Sequence, residues 1–520
     1  MHARTERSVV HVLTRRSLIR AGASVGAAAA LTAGTGGLML AQAAGATPWK
    51  TLQSRLSGRL VLPSDATYET AKQLQLAQFD VIHPQAIAYC TSEADVAACI
   101  RFAQDYGLAP AVRSGGHSQA GYSTTPGLVI DVSKLNHVRP GDTVHLGPGS
   151  QGVDVLNSLA PYNIQVAAGT CPTVAVGGWL QGGGLGYATR KFGMGADRLV
   201  SARVVLANGR TVRASETENP DLYWALRGGG GGNFGVVTDF EVQPVQIPSL
   251  TTYNLNFAWS DAVQVILAWQ EWIATAPREL SSELLFLLST DAPQGTEPYV
   301  VLTGGYAGPQ ADCDRALDRL VTAVGRPTTS RTVSELPYRD AMMNVFGCGT
   351  KTVNECHRIG YSPEAQLSRD NYSLGRNNFF ARGWTRADAE AAVAAFTADF
   401  RPGQFRFLGL FAYAGKVNDV APTATAFVHR DSLFNAGYSV GLTNPNLTQE
   451  DKDRGQAWVD NGFSTVEPFS ASLHQSYQNY MDPALTNWRE AYYGRNYTRL
   501  RSVKRTYDPN RFFRFAQGID

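Results

Sequence analysis

The sequence predicts an α+β protein with two domains, and three observations support this. The chain has 520 residues, more than one hydrophobic core usually supports, so two or three domains are expected. From about residue 83 to 245, short β-branched runs alternate with helical patterns, which indicates an α+β or α/β domain. From Ser249 onward, longer strand patterns alternate with amphipathic helices, which predicts a second domain whose sheet is covered by helices.

Individual strands and helices follow from local patterns. AIAYCT predicts a strand, and SEADVAACIRFAQDYG predicts a helix that has Ser92 as its N-cap and ends at Gly107. Val96, Ile100 and Ala103 recur on one face of this helix. APAVRS and GLVIDVS predict two more strands. In the second domain, EPYVVLTGGYAG and FRFLGLFAYAG predict strands, and RADAEAAVAAFTADF predicts a helix.

Residues 1–46 contain an arginine pair followed by a weakly apolar run, TRRSLIRAGASVGAAAALTAGTGGLMLAQAAGA. This pattern is typical of a Tat-type export signal cleaved after Ala43 or Ala46, so we expect the Tat machinery to secrete the protein, to the periplasm or outside the cell. A retained membrane anchor is the alternative, but Thr32, Thr35 and the glycines weaken the run. No later window holds 18 apolar residues, so we expect no stable membrane anchor.

The charge balance of the chain changes once the export signal is set aside. The net charge is +2, but residues 1–46 hold five arginines and one glutamate, which leaves 41 basic and 43 acidic residues. This balance disfavours nucleic acid or an anionic membrane as a partner, and it leaves the oligomeric state open. Six cysteines in an exported chain permit disulfides. Cys348 and Cys356 are the best candidate pair, although sequence alone does not fix connectivity.

Three glycine-rich stretches stand out in the first domain. RSGGHS spans residues 113–118, six glycines lie within 177–186, and five follow one another in 228–232. A missing Cβ lets backbone approach a ligand or present N–H groups to a phosphate, which predicts a phosphate-bearing ligand. The Rossmann fingerprint fails, because GGGLGYAT has Thr189 in place of the last glycine. A flexible linker is the alternative for the five-glycine run, but WALR and NFGVVT beside it predict packed structure.

Five motifs in one order carry a resemblance to a known family: RSGGHS, GTCPTVAVGGWLQGGGLG, ADRLVSARVVLANG, DLYWALRGGGGGNFGVVT and YYGRNYTRLRSVKRTYDPNRFF. Together they resemble the berberine bridge enzyme-like flavoprotein oxidases of the vanillyl alcohol oxidase superfamily, over about residues 50–520. The resemblance implies a PCMH-type FAD-binding domain at 47–248, with its core at about 79–248. It also implies a substrate domain with an antiparallel sheet at 249–460, and a C-terminal segment at 461–520 that returns to the FAD domain.

The resemblance implies that FAD is held by two covalent bonds, from His117 to the 8α-methyl carbon and from Cys171 to ring carbon C6. A neutral imidazole and a thiolate are both good nucleophiles toward an electron-poor ring. Taken alone, His117 fits a turn histidine bonded to backbone, and Cys171 fits a small buried residue or half of a disulfide. Their place in two matching motifs favours the flavin. No metal site is predicted.

Further cofactor contacts are implied by position in the same motifs, around the pyrophosphate, the flavin and the adenine. One departure is Trp179, where many plant members have histidine, which leaves open what stabilises negative charge on the reduced flavin. The implied contacts are Arg113, Ser114, Gly115, Gly116, Ser118, Tyr122, Gly177, Gly178, Gly182, Gly183, Gly184, Gly235, Val237, Asn496 and Tyr497.

The resemblance also implies an oxidase that reduces O2. Val174, three residues after Cys171, resembles the oxygen-reactive members, and ordinary packing is its alternative role. A base must remove the hydroxyl proton as hydride leaves for flavin N5, and a tyrosine with a pKa of about 10 needs activation to do so. SYQNYMDP resembles the segment over the flavin. Tyr477 is therefore the predicted base, Tyr480 the alternative, and Tyr413 a second active-site tyrosine.

The substrate class is predicted in outline. Relatives with both links oxidise sugars or oligosaccharides, or sugar hydroxyls of glycosylated natural products, so a carbohydrate or glycoside oxidase that releases hydrogen peroxide is the first prediction. An oxidative tailoring enzyme acting on a non-sugar alkaloid or polyketide centre is the second. A flavin-binding protein without turnover is the third, and it predicts bound flavin that no reductant can bleach.

Overall fold

The chain forms three β-sheets with helices packed around them. Two sheets lie before residue 249 and one after it, and the mixture of helices with these sheets confirms the predicted α+β class. The export signal predicted at 1–46 lies outside the residues that the computed structural model describes, which are 47–166, 169–444, 446–470 and 474–520.

The first sheet has four short strands, three of them parallel. The predicted helix after its second strand forms, and the Ser92 side chain accepts a hydrogen bond from the Asp95 backbone N–H. The helix ends two residues before Gly107, whose φ of +61° favours glycine just past a helix end. The elements are α1 (Trp49–Gln53), β1 (Arg59–Val61), α2 (Tyr68–Ala71), β2 (Ala86–Tyr89), α3 (Glu93–Asp105), β3 (Pro110–Arg113) and β4 (Leu128–Asp131), with strand order β1-β2-β4-β3.

The second sheet has five antiparallel strands. Val204 and Phe240 are fully buried in its core. The glycine-rich stretches at 177–186 and 228–232 lie at the ends of two of its helices. The elements are β5 (Val138–Arg139), β6 (Val144–Leu146), α4 (Gly152–Leu159), α5 (Val176–Gln181), α6 (Thr189–Phe192), β7 (Leu199–Val205), β8 (Thr211–Ser215), α7 (Pro220–Leu226) and β9 (Val236–Val242), with strand order β5-β6-β9-β7-β8.

The third sheet has seven antiparallel strands. The strands and the helix predicted from the second half of the sequence all form within it or against it. The elements are β10 (Ser249–Phe257), α8 (Ala262–Thr275), β11 (Leu280–Leu288), β12 (Tyr299–Tyr306), α9 (Gln310–Val324), β13 (Ser330–Pro337), α10 (Tyr338–Val345), β14 (Tyr372–Phe380), α11 (Arg386–Thr397), β15 (Gln404–Ala412), β16 (Phe434–Leu442) and α12 (Gln449–Val466), with strand order β13-β10-β12-β11-β15-β16-β14.

The seven-stranded sheet buries one face under helices α8, α9, α11 and α12, and turns the other toward the first domain. Alternation along β11 shows this division. Leu284 and Phe286 belong to the core beneath the helices, whereas Glu283 and Leu285 point the other way and line a cavity. Because successive side chains in a strand face opposite sides, one strand supplies both core and site.

The C-terminal segment, with α13 (Trp488–Tyr493) and α14 (Tyr497–Tyr507), packs against the first domain. Lys504 is buried there, pairs with Asp508 at 2.8 Å, and donates to the carbonyl oxygens of Asn233 and Phe513. Asn233 also accepts a hydrogen bond from the Ile519 backbone N–H through its side-chain oxygen. These contacts attach the end of the chain to the loop that contains the five-glycine run.

Cys348 and Cys356 form a disulfide in the loop after α10, as predicted. Both sulfurs are buried in the same cluster as Met342 and Phe346. Among the described residues, every helix is too short or too polar to cross a lipid bilayer.

Candidate active site

A cavity of about 600 Å³ lies between the loops of the first domain and the seven-stranded sheet, within the size range of small-molecule and cofactor sites. We call its two sides the glycine wall and the sheet wall. The glycine wall consists of Gly115, Gly116, His117, Gly177, Gly178, Gly230, Gly231 and Gly232. The sheet wall consists of Ser281, Ser282, Glu283, Leu285, Thr303, Phe407 and Phe411.

The RSGGHS turn follows β3 and packs against the loop GTCPTV. A Cβ atom on Gly115 would lie 2.8 Å from the Ala175 backbone nitrogen, so only glycine fits there. Gly116 adopts a φ of +71°, in the left-handed region that favours glycine. The turn therefore brings His117 to the loop that carries Cys171, and part of the reason for its glycines is close packing of protein against protein.

Thr173 lies between the two predicted anchors of the flavin. Its Oγ1 is 2.9 Å from His117 Nε2 and 3.8 Å from Cys171 Sγ. His117 and Cys171 line the cavity, whereas Thr173 lies behind them. Because Thr173 holds Nε2, Nδ1 is the ring nitrogen left for a bond to a ligand. Sequence reasoning missed Thr173, since its contact with His117 joins residues 56 positions apart.

Burial shifts the pKa values of the two nucleophiles, His117 and Cys171, in opposite directions. Burial, together with the positive charge of Arg358, lowers the pKa of His117 to about 3. The imidazole is therefore neutral at ordinary pH and has a lone pair for nucleophilic attack. Burial raises the pKa of the Cys171 thiol, and hydrogen bonds from Thr173 oppose the rise. The thiol stays protonated and must lose its proton before it can react.

The five-glycine run is a packed turn, so the linker interpretation is wrong. Gly228 has a φ of +120°, and a Cβ atom there would lie 2.2 Å from the Phe427 backbone nitrogen. The Gln181 carbonyl oxygen accepts hydrogen bonds from the backbone N–H groups of Gly228 at 3.0 Å and Gly230 at 2.9 Å. Gln478 Nε2 donates to the Gly228 carbonyl oxygen at 2.7 Å. The run thus joins α5 to the C-terminal segment.

Tyr477 is buried and lines the cavity. Its hydroxyl oxygen accepts hydrogen bonds from the Gly184 backbone N–H at 3.1 Å and from Asn479 Nδ2 at 3.0 Å. Burial raises the pKa of Tyr477 to about 12, and these two bonds oppose the rise because they stabilise the phenolate. Asn479 also explains why residue 182 is glycine, since a Cβ atom on Gly182 would lie 1.8 Å from Asn479 Oδ1.

The other two predicted tyrosines differ in their access to the cavity. Tyr480 lines it, with its ring edge-on to Tyr477 at a centroid distance of 4.9 Å. Burial raises the pKa of Tyr480 as well. Tyr413 lies behind the lining, and its buried hydroxyl has no hydrogen-bond partner among the described residues. Tyr413 packs behind the lining through an edge contact with Phe379 at 4.9 Å, and its role as a second active-site tyrosine stays a prediction.

Six predicted cofactor contacts also lie outside the cavity lining. Arg113 turns away and pairs with Asp131. Gly182, Gly183 and Gly184 form the turn on which Asn479, Phe427 and Tyr477 pack. Asn496 Nδ2 donates to the carbonyl oxygens of Pro422 and Thr425, and the Tyr497 hydroxyl binds Asp520. Protein contacts therefore account for most of the polar groups of these residues, with Arg113 Nη1 as an exception that has no acceptor among the described residues.

The remaining predicted contacts all face the cavity, together with residues that the sequence did not reveal. Most of those missed come from strands of the second domain or from the last residues of the chain, where no motif marks them. The predicted residues that line the cavity are Ser114, Gly115, Gly116, His117, Ser118, Tyr122, Cys171, Val174, Gly177, Gly178, Gly235 and Val237. The additional lining residues include Tyr187, Ser281, Glu283, Phe411 and Phe515, and Trp179, noted above as a departure, also lines the cavity.

The glycine wall fits a flat cofactor. A Cβ atom on Gly178 would have no atom within 4 Å, so this part of the wall is bare backbone facing open space. At Gly232 the nearest atom to a Cβ would be in the Phe515 ring, at 3.9 Å. His117 and Cys171 present nucleophilic atoms to the same space. Bare backbone and this pair of nucleophiles match what a covalently held FAD requires.

Comparison with known proteins supports this interpretation. The family described as FAD binding domain matches residues 84–215, and the family described as berberine and berberine like matches residues 476–520. The uncharacterized FAD-linked oxidoreductase YgaK of Bacillus subtilis (strain 168) is 29% identical over 480 residues, which cover 90% of this chain and 98% of YgaK. Glucooligosaccharide oxidase of Sarocladium strictum is 29% identical over 462 residues, which cover 83% of this chain and 86% of that oxidase.

A solved structure is similar over nearly the whole chain. It is a glucooligosaccharide oxidase from Acremonium strictum, described with a 6-S-cysteinyl, 8α-N1-histidyl FAD. The TM-score is 0.79 at 25% identity, and the match covers 91% of this chain and 98% of the other.

The fold, the cavity and these matches define a FAD-linked oxidoreductase. Within that class, the chain carries the FAD-binding and berberine-like parts of the berberine bridge enzyme-like oxidases, and its fold is the PCMH-type fold of those proteins. The resemblance found in the sequence motifs is therefore confirmed.

Proposed function

We propose that the protein is a secreted oxidase in which His117 and Cys171 both bond covalently to FAD, and which oxidises a hydroxyl group of a sugar, oligosaccharide or glycosylated natural product. Bound FAD would accept a hydride at N5 and pass both electrons to dioxygen, giving hydrogen peroxide. The observation that carries the proposal is the contact of both anchors with one hydroxyl, that of Thr173.

The two anchors have the reactivity that this linkage needs. His117 is neutral because burial and Arg358 disfavour its proton, and its Nδ1 is not the atom that Thr173 holds. The histidyl N1 named for the glucooligosaccharide oxidase of Acremonium strictum is the corresponding ring nitrogen. Cys171 reaches Thr173 through its sulfur, and the hydrogen bonds of Thr173 favour the thiolate.

Tyr477 is the group proposed to take the proton of the substrate hydroxyl. Its oxygen already accepts two hydrogen bonds, from Gly184 and Asn479, and both favour the ionised form. The Gly184 bond also fixes the ring against the turn that follows α5, so the base has a defined position. Tyr480 lines the cavity beside it and is the second candidate.

The sheet wall favours a substrate rich in hydroxyl groups. Ser281, Glu283 and Thr303 bring two hydroxyls and one carboxylate to the cavity from two neighbouring strands. Sugar recognition uses such groups to donate and accept hydrogen bonds to ring hydroxyls. The similarity to glucooligosaccharide oxidase points to the same substrate class.

A second candidate substrate is a flat non-sugar centre, as in an oxidative tailoring enzyme. Leu285, Phe407 and Phe411 add an apolar area to the same wall, and Phe407 and Phe411 lie 6.1 Å apart between ring centroids. Aromatic side chains stack on planar rings as well as on sugar faces. A substrate screen separates the two candidates.

Val174 lines the cavity next to Cys171, which supports the proposal that dioxygen is the electron acceptor. Secretion is proposed from the arginine pair and the small-residue run of residues 1–46.

The test begins with intact mass and absorbance of purified protein. Wild type should be yellow and keep the mass of FAD after denaturation. The His117→Ala and Cys171→Ala single variants should each keep it, and the double variant should lose it. Complete release of flavin from wild type would overturn the bicovalent link.

Substrate class and acceptor are tested on the same preparation. Oligosaccharides and phenolic or polycyclic alcohols are screened for bleaching of the flavin without oxygen, and for peroxide in air. Bleaching by sugars with peroxide release is the expected result. Bleaching by non-sugars only would favour the tailoring enzyme, and bleaching without peroxide in air would contradict the oxidase assignment of Val174. Flavin that no compound bleaches would favour a binding protein without turnover.

A further inference from the structure

A second cavity, of about 680 Å³, lies behind the RSGGHS turn. Gly115, Gly116 and His117 line both this cavity and the one described above, so the turn is the partition between them. The rest of its lining comes from the first sheet and from the loop around Arg358. We call it the basic cavity, for the residues described next.

The basic cavity holds more positive than negative charge. Four lining side chains are cationic, Arg59, Arg113, Lys134 and Arg358, and one is a carboxylate, Asp131. Asp131 already pairs with Arg113 through Nε. Within the described parts of the chain, Arg59, Lys134 and Arg358 form no salt bridge. Three cations therefore share a partly enclosed space without a counter-charge.

Two guanidinium groups in this cavity each have one nitrogen without a hydrogen-bond acceptor. Nη1 of Arg113 and Nη1 of Arg358 are both buried and have no partner among the described residues. Arg113 as a whole is only 4% exposed. Buried donors without acceptors are uncommon and are unfavourable when the group is charged. An anion with at least two oxygens could accept from both arginines, which suits the forked geometry of guanidinium groups.

The positive charge of Arg358 is destabilised by its surroundings, which favours an anion beside it. Burial, and then the charges of Arg369 and Arg113, lower the pKa of Arg358 to about 10. An anion in the basic cavity would offset that repulsion. The loop that carries Arg358 is fixed nearby by the disulfide and by a hydrogen bond from Arg358 Nη2 to the Gln73 carbonyl oxygen at 3.3 Å. The cationic groups are therefore held in place without a ligand.

We propose that the basic cavity binds a small oxyanion, a phosphate or carboxylate group, between the side chains of Arg113 and Arg358, with the exposed Lys134 at its edge. The site is separate from the proposed reaction and lies on the opposite side of the flavin-linking turn. His117 lines both cavities.

The proposal is tested by calorimetric titration of the purified FAD-loaded protein with inorganic phosphate at constant ionic strength. Acetate and chloride are titrated in parallel. Saturable binding of one phosphate per chain is expected, with no saturable heat from chloride. Acetate binding of similar strength would identify a carboxylate site, and phosphate binding alone a phosphate site. Absence of saturable binding by both oxyanions up to about 10 mM would overturn the proposal.

Variants locate the site. Arg358→Lys keeps the positive charge but removes the planar guanidinium group and its paired N–H donors. Lys134→Gln removes an exposed positive charge. We expect the first to weaken binding about tenfold or more and the second severalfold. Arg454→Gln, on the surface of α12 where it pairs with Glu450, is the matched control and should bind as wild type does. Binding that is unchanged in Arg358→Lys and Lys134→Gln would place the anion elsewhere and overturn the proposal.

Discussion

The glycine wall and the sheet wall enclose one cavity but are built in different ways. The glycine wall presents backbone, because most of its residues are glycines, and at Gly115 and Gly177 an added Cβ atom would lie within 3 Å of neighbouring protein atoms. The sheet wall presents side chains that alternate with core residues along β11. A wall of backbone is suited to one large planar cofactor, whereas a wall of side chains can vary with the substrate.

The different construction of the two walls also predicts which amino-acid substitutions each wall tolerates. On the glycine wall, an added carbon can meet backbone, since a Cβ atom on Gly115 would lie 2.8 Å from the Ala175 nitrogen. On the sheet wall, a change of side chain leaves the strand pairing between β11 and β12 intact. We therefore expect changes in the first wall to affect cofactor retention and stability, and changes in the second to affect the substrate.

Tyr477 touches the glycine-rich turn and also lines the cavity, so it should show the largest effect. Tyr477→Phe removes the proposed proton acceptor, and kcat should fall by about 10²- to 10⁴-fold. Burial has raised the pKa of Tyr477 to about 12, so wild-type kcat should rise with pH below that pKa as the phenolate fraction grows. The variant should lose this rise. Steady-state kinetics from pH 6 to 10 measure both.

Tyr413→Phe is the matched comparison, because its hydroxyl lies behind the cavity. It should keep kcat within a few-fold of wild type. A large loss in Tyr413→Phe with little loss in Tyr477→Phe would reverse the assignment of the two tyrosines.

Gly228→Ala tests whether the turn that precedes Gly230 of the glycine wall is rigid. The added carbon would lie 2.2 Å from the Phe427 backbone nitrogen at a φ of +120°, so unfolding free energy should fall by about 3 kcal/mol. Gly403→Ala is the control, because Gly403 also has a positive φ, +84°, but open space around it. The unfolding free energy of Gly403→Ala should fall by only about 1 to 2 kcal/mol. Denaturant unfolding compares the two, and equal losses would show that backbone conformation alone matters.

Thr173 tests whether the anchors on the glycine wall act as a pair. Thr173→Val keeps the shape but removes the hydroxyl that contacts His117 and Cys171. We expect covalent attachment of FAD to slow about tenfold or more, because a nucleophile held less accurately reacts more slowly. Thr173→Ser should attach FAD nearly as fast as wild type. Mass spectrometry of denatured samples over time follows the reaction, and equal rates in the valine variant would contradict a positioning role.

Glu283→Gln should give the smallest of these effects, since it alters the sheet wall alone. Loss of the carboxylate should raise KM for an oligosaccharide about tenfold while kcat and FAD content stay close to wild type. Ser281→Ala on the same strand should raise KM less, because a neutral hydrogen bond contributes less than a charged one. Loss of FAD in Glu283→Gln would contradict the expectation that changes in the sheet wall affect the substrate and not the cofactor.

Much of the fold followed from local signals. The Ser92 cap, the β-branched runs and the amphipathic helices each depend on neighbours in the chain, so the elements formed where they were expected. The helix end at Asp105 differed by two residues, because the left-handed glycine at 107 follows the helix. The Cys348–Cys356 pair also formed, since eight positions in one loop keep two cysteines close.

The sequence alone determined the class of protein, because the proposed flavin anchors and the glycine turns belong to short motifs whose residues are neighbours in the chain. It did not determine which way each side chain turns. Arg113 faces the basic cavity, Tyr413 packs behind the site, and Thr173 joins the two anchors, and each of these depends on contacts between residues far apart. The tertiary structure decided them, because burial and hydrogen bonding across distant loops choose the direction of a side chain, and no local pattern records that choice.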